Sequence, residues 1–146
     1  MGTSTQGYYF DELEVGMEDS YTRTVEAADI QGFADVSGDT NPVHLDEAYA
    51  KTTRFGGCIA HGMLTGSYVS TVIGTKLPGP GCIYVSQTHN FKAPVMIGDT
   101  VTARAKVTKL VERRNFVELE TSCWVGDTLV ISGSALIMVP SRPSHT

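Results

Sequence analysis

The stretch Gly62 to Lys76, GMLTGSYVSTVIGTK, is apolar on most sides and is followed by LPGPG and a change of hydrophobic period. A helix with so little polar surface has to be buried, so the rest of the chain must be able to cover it. Gly62, Gly66, Ser70 and Gly74 recur every four residues along it, a stripe with almost no side-chain bulk. Something packs close there: a curved sheet, a second subunit or a substrate. The turn cluster Leu77 to Gly81 ends the helix. Beyond it, alternation predicts strands over Ile83 to Ala93, Thr100 to Leu110, Phe116 to Val125 and Leu129 to Val139, with Gly126-Asp127 as a hairpin turn. Strands joined by short turns pair antiparallel. Together with an earlier strand at Tyr21 to Val25, they predict an α+β domain in which a curved antiparallel sheet of about five strands wraps one long helix.

Before that helix, Ile30, Phe33, Ala34 and Val36 fall on one face of a helix over Ala27 to Ser37, which Gly32 weakens by ~1 kcal/mol relative to alanine. Gly38 ends it as a residue that can take positive φ. The loop Asp39-Thr40-Asn41-Pro42-Val43-His44 follows, and Pro42 holds Asn41 away from helical angles. Asp46 is placed to cap a short helix to Lys51. One acid, one amide and one imidazole therefore share a short restricted segment, an arrangement suited to proton transfer. Taken singly, Asp and Asn are also ordinary turn residues. Residues 1–9 read as a loose leader, 10–140 as one domain and 141–146 as a tail.

The whole pattern FADVSGDTNPVHLDEA, with Ala60-His61-Gly62-Met63 and Phe91-Lys92-Ala93-Pro94-Val95, resembles the MaoC-like hydratases, the (R)-specific enoyl-CoA hydratase group. The run GTKLPGPGCIYVSQ is also similar to the mitochondrial 3-hydroxyacyl-thioester dehydratases. The resemblance implies a hot-dog fold and reversible addition of water to a trans-2-enoyl thioester, with no cofactor. It implies that Asp39 and His44 hold the water, with Asn41 between them and the backbone N–H of Gly62 as donor to the enolate oxygen. Gly62 stands at a helix start, where free N–H groups and partial positive charge are found. Ser70, Met63 and His61 are the expected substrate-binding residues. A homodimer is expected, with the enoyl-CoA between subunits. Acyl carrier protein as the carrier, in a fatty-acid-synthesis dehydratase, is the alternative; a hot-dog thioesterase and a non-catalytic acyl-binding module are lesser ones.

Charge narrows the partners further. The formal net charge is −5 and only 11 residues are Lys or Arg, too few and too scattered for a nucleic-acid surface. Lys92, Arg104, Lys106, Arg113 and Arg114 serve equally as contacts for an acidic carrier or as solubility charges. The three cysteines, Cys58, Cys82 and Cys123, form no CxxC pattern and no even disulfide set, so no metal site is expected and a reducing compartment is. No apolar run reaches the roughly 18 residues of a membrane span. The cytoplasm is the expected location, or the mitochondrial matrix for a chain trimmed of a transit peptide. Gly79-Pro80-Gly81 lacks the Lys-Ser/Thr of a phosphate loop, and Ser67 and Ser70 lack a G-x-S-x-G setting. His89 reads as a surface or pocket-lining residue.

Overall fold

The computed structural model describes residues 6–143; residues 1–5 and 144–146, the outer parts of the expected leader and tail, lie outside the described residues. The elements in order are β1 (Glu18–Thr24), α1 (Ala27–Ser37), α2 (Pro42–Leu45), α3 (Glu47–Ala50), α4 (Gly62–Thr75), β2 (Ile83–Phe91), β3 (Thr100–Val111), β4 (Phe116–Val125) and β5 (Thr128–Met138). The strands form one antiparallel sheet in the order β1-β3-β4-β5-β2.

Alternation along β3 and β4 does what period two dictates. Val101, Ala103, Ala105, Val107, Val117, Leu119 and Cys123 point inward and are fully buried. Against them lies α4, which buries Leu64, Tyr68, Val69, Val72 and Ile73. Each such side chain contributes roughly 1.5–3 kcal/mol on leaving water, so the helix is held by the sheet rather than by propensity.

The short-turn reading holds for β3, β4 and β5 but not for β2. That strand pairs with β5 and not with its sequence neighbour β3, so residues 92–99 carry the chain from one edge of the sheet to a position beside β1. On the way, Ile59 bridges Met96 and Ala60 N–H donates to the Val95 carbonyl at 2.7 Å, which ties the start of α4 to this crossing. At the other end, Gly7 and Tyr8 N–H groups bond the carbonyls of Pro80 and Pro78 at 2.9 and 2.8 Å. The small-residue stripe on α4 divides in two. The Phe91 and His89 side chains of β2 lie over Gly62 and Gly66, whereas among the described residues nothing lies within 4 Å of where a Cβ on Gly74 would be, and Ser70 is exposed.

Candidate active site

The site begins where α1 stops. Gly38 takes φ 81° as its C-cap, its N–H bonding the Ala34 carbonyl at 2.8 Å, and the chain turns sharply into Asp39. Ser37 Oγ accepts from Asp39 N–H at 3.1 Å, and Asp39 Oδ1 accepts from Asn41 N–H at 3.2 Å. Pro42 then opens α2 at a helix-start position, where its missing N–H costs nothing. Asn41 is the cap of that helix, its Oδ1 accepting from Val43 N–H at 3.1 Å. The sequence reading had the loop unwound through to His44; the proline instead starts a helical turn that carries His44 in its last residues. Asn41 shapes the turn with its side-chain oxygen, and the His44 ring is held by the Ile59 carbonyl.

His44 Nδ1 lies 2.8 Å from the Ile59 carbonyl, and His61 Nε2 lies 2.9 Å from the Asp39 backbone carbonyl. A carbonyl oxygen only accepts, so the proton sits on Nδ1 of His44 and on Nε2 of His61. In the neutral ring this leaves Nε2 of His44 as the bare nitrogen. The two rings stack with centroids 3.9 Å apart at 27°, and Phe33 packs on His61 at 4.8 Å. Asp39, His44 and His61 each bring one ligand-type atom within 4.8 Å of the others. One nitrogen of each ring is engaged on a carbonyl, which leaves the second nitrogen of His44 and the Asp39 carboxylate as the groups with an atom to spare at the cavity.

These residues line a cavity of about 450 Å³, with Gly62, Phe91, Val95 and Ile131 among its walls. Arg54 and Lys92 bring positive charge to it. No side chain caps the start of α4, and no hydrogen bond within the described chain engages Gly62 N–H, so that donor is free at the cavity. The space beside Gly62 is already taken, however: a Cβ there would lie 2.7 Å from Phe91 Cε1. Glycine is required for the aromatic ring to lie against the helix as well as for any ligand to approach.

Met63 also lines the cavity and is exposed. His61 lines it too, but only 2% of its surface is accessible. Ser70 lies two turns along α4 and does not line the cavity of this single chain. His89 is half-buried over Gly66, and burial pulls its imidazole below the usual range. The cysteines stay in the thiol form: burial pushes Cys123 up to about 12, and Cys58 and Cys82 are raised for the same reason. The Ile59 carbonyl, which sets the tautomer of His44, carries no sequence signal because any residue could supply it. Phe91 stands in the sequence only as part of the resemblance; its place against Gly62 comes from its position at the end of β2.

The MaoC-like domain family matches residues 11–125. The chain belongs to this family. It is 51% identical over 92% of its length to an (R)-specific enoyl-CoA hydratase of Rhodospirillum rubrum, covering 94% of that protein. It is 46% identical over 92% of its length to a 3-hydroxybutyryl-CoA dehydratase of Methylorubrum extorquens, covering 85% of that protein. Among solved structures, an R-hydratase of Pseudomonas aeruginosa in the unliganded form superposes with a TM-score of 0.89 at 42% identity, covering 97% of each chain. The MaoC-like chain has the hot-dog fold, its single curved sheet wrapped round α4. No helix among its described residues is long and apolar enough to cross a membrane.

Proposed function

We propose that the chain is an (R)-specific enoyl-CoA hydratase, adding water reversibly to a trans-2-enoyl-CoA to give the 3-hydroxyacyl-CoA. The observation that carries this is the facing of Asp39 and the bare Nε2 of His44 across one cavity, beside the free N–H of Gly62. A water between the carboxylate and Nε2 gives one proton to the pair as its oxygen bonds C3 of the enoyl thioester. The C2–C3 π electrons move to the thioester carbonyl, and the Gly62 N–H meets the charge that develops on that oxygen. The pair then returns a proton to C2 from the same face as the hydroxyl, and the carbonyl re-forms. Atoms balance, and no cofactor is called for. Asp39 and His44 act here as one coupled acid/base unit.

CoA is the carrier proposed, as in the relatives of highest identity among those described above, and the working unit is a homodimer in the cytoplasm. The test is loss of enoyl absorbance across C4 to C12 enoyl-CoAs and the matching acyl carrier protein thioesters, with the product resolved for (R) configuration. Release of free thiol would make the chain a thioesterase, and turnover confined to the protein carrier would reassign the substrate.

A further inference from the structure

We propose that His61 is the positioning residue of this site, holding the carboxylate, the imidazole and the enolate donor in one frame; the inference rests on the hydratase reading above. His61 is tied to all three. Its Nε2–H grips the backbone carbonyl of Asp39 itself, 22 positions earlier in the chain, at 2.9 Å. Its ring stacks on His44 with centroids 3.9 Å apart and also packs against Phe33 at 4.8 Å. It is also the N-cap of α4, its carbonyl accepting from Leu64 and Thr65 N–H at 3.0 and 3.2 Å, so the next residue, Gly62, is fixed with it. A shift of this ring moves the Asp39 loop, the His44 plane and the Gly62 N–H together.

Simple space-filling does not account for the residue. His61 Nδ1 is sealed from solvent and has no hydrogen-bond partner within the described chain. An apolar ring of similar size would fill the same gap without burying an unpaired nitrogen. The chain therefore keeps a polar group at a stability cost, and the group it provides in return is the Nε2–H on Asp39. With that nitrogen engaged and Nδ1 sealed away, His61 acts through Asp39 and His44 and not on the substrate. The sequence offers His61 both as a substrate-binding residue and as one that caps or packs at a helix start; the second is nearer to the place it takes here.

Three substitutions separate the parts. In His61→Gln the side-chain amide nitrogen reaches the place of Nε2; in His61→Asn it falls short; His61→Phe keeps a ring against His44 and has no donor. With crotonyl-CoA as substrate, the Asn and Phe variants should each lose about 10²-fold in kcat, the scale expected of a catalytic group displaced by about an ångström. Their KM should stay within about threefold of the parent, since the interaction lost is not one with the substrate. The Gln variant should recover about tenfold or more of the lost kcat, and the Phe variant should melt no lower than the parent. A Gln variant no better than Asn, a Phe variant with kcat within threefold of the parent, or a loss confined to KM would each overturn the proposal. On the unaltered protein, ¹⁵N chemical shifts of the histidine rings must report the proton on Nε2 of His61 and on Nδ1 of His44; the opposite tautomer at His61 overturns it without any variant. Failure of the parent protein to hydrate crotonyl-CoA or any longer enoyl thioester would instead remove the functional reading, so the two failures are distinct.

Discussion

Asp39 lends Oδ1 to its own turn through Asn41 N–H and leaves Oδ2 without a bond inside the described chain, while His44 lends Nδ1 to Ile59 and leaves Nε2. Each residue thus has one atom fixed and one atom left over, an arrangement that would let a short loop be both rigid and reactive. Asp39→Asn and His44→Ala should each lower kcat by at least about 10²-fold without unfolding the chain, and the double variant should be little worse than either. Independent, multiplicative losses in steady-state assays would mean that the two do not share a water. Gly62→Ala tests a different point. Its methyl would meet the Phe91 ring, so turnover should fall, and Phe91→Leu in the same chain should restore room and part of the activity if the free N–H is what matters. A double variant with no recovery would locate the damage in the helix start itself. Asp39, Asn41 and His44 were legible in the sequence because loop chemistry is local: an acid, a proline and an imidazole within six positions. The Asn41 cap and the grip of His61 on Asp39 were not, since the first depends on whether Pro42 starts or ends a turn and the second on a contact made only after folding.

The elements that frame the site depend on ties that can be titrated. Asp29, in the first turn of α1, accepts from Glu26 N–H at 3.0 Å and is paired with Arg23 of β1 at 2.6 Å, which joins that helix to the sheet edge. The hydrogen bonds from the Arg23 side chain and the Glu26 N–H hold the Asp29 carboxyl below its ordinary range. A carboxyl depressed in the folded state stabilises that state above its unfolded pKa of about 3.9, and the contribution is lost as pH falls through the lower folded value. Asp29→Asn should therefore cost about 1 kcal/mol at pH 7, as loss of a helix-start carboxylate does. That is about 2–4 °C in Tm for a domain of this size. The gap between parent and variant should begin to narrow as the pH falls below about 4 in thermal melts; a gap that widens there would reverse the assignment. The limits of α1 and β4 were readable to the residue from periodicity and caps. The pairing of β2 with β5 was not, because alternation marks a face and says nothing about which neighbour lies alongside.

At the scale of the whole molecule the sheet has two free edges of opposite character. β1 carries Glu18, Asp19 and Arg23 on an exposed, mostly polar strand, the kind of edge that resists pairing. β2 carries Ile83, Tyr84 and Val85, all exposed, with Val85 46% accessible and standing at the irregularity between Tyr84 and Ser86. The open half of the α4 stripe offers an exposed Ser70 and a Gly74 with no described residue within 4 Å of its Cβ position. Two copies related by a two-fold axis along β2 would extend the sheet, cover these side chains and close the open face of α4, since a two-fold interface presents one patch to itself. The apolar edge, not the charged one, is where that pairing should occur. Val85→Glu would then bring like charges together across the axis, where direct opposition destabilises pairing. In sedimentation the parent should weigh about twice the 15.7 kDa of one chain, and the variant should shift toward the single-chain mass with loss of turnover in proportion. Glu18→Gln on the other edge should leave both unchanged. A Val85→Glu monomer with full activity would place the whole catalytic apparatus within one chain, and a dimer that survives this substitution would move the interface away from β2.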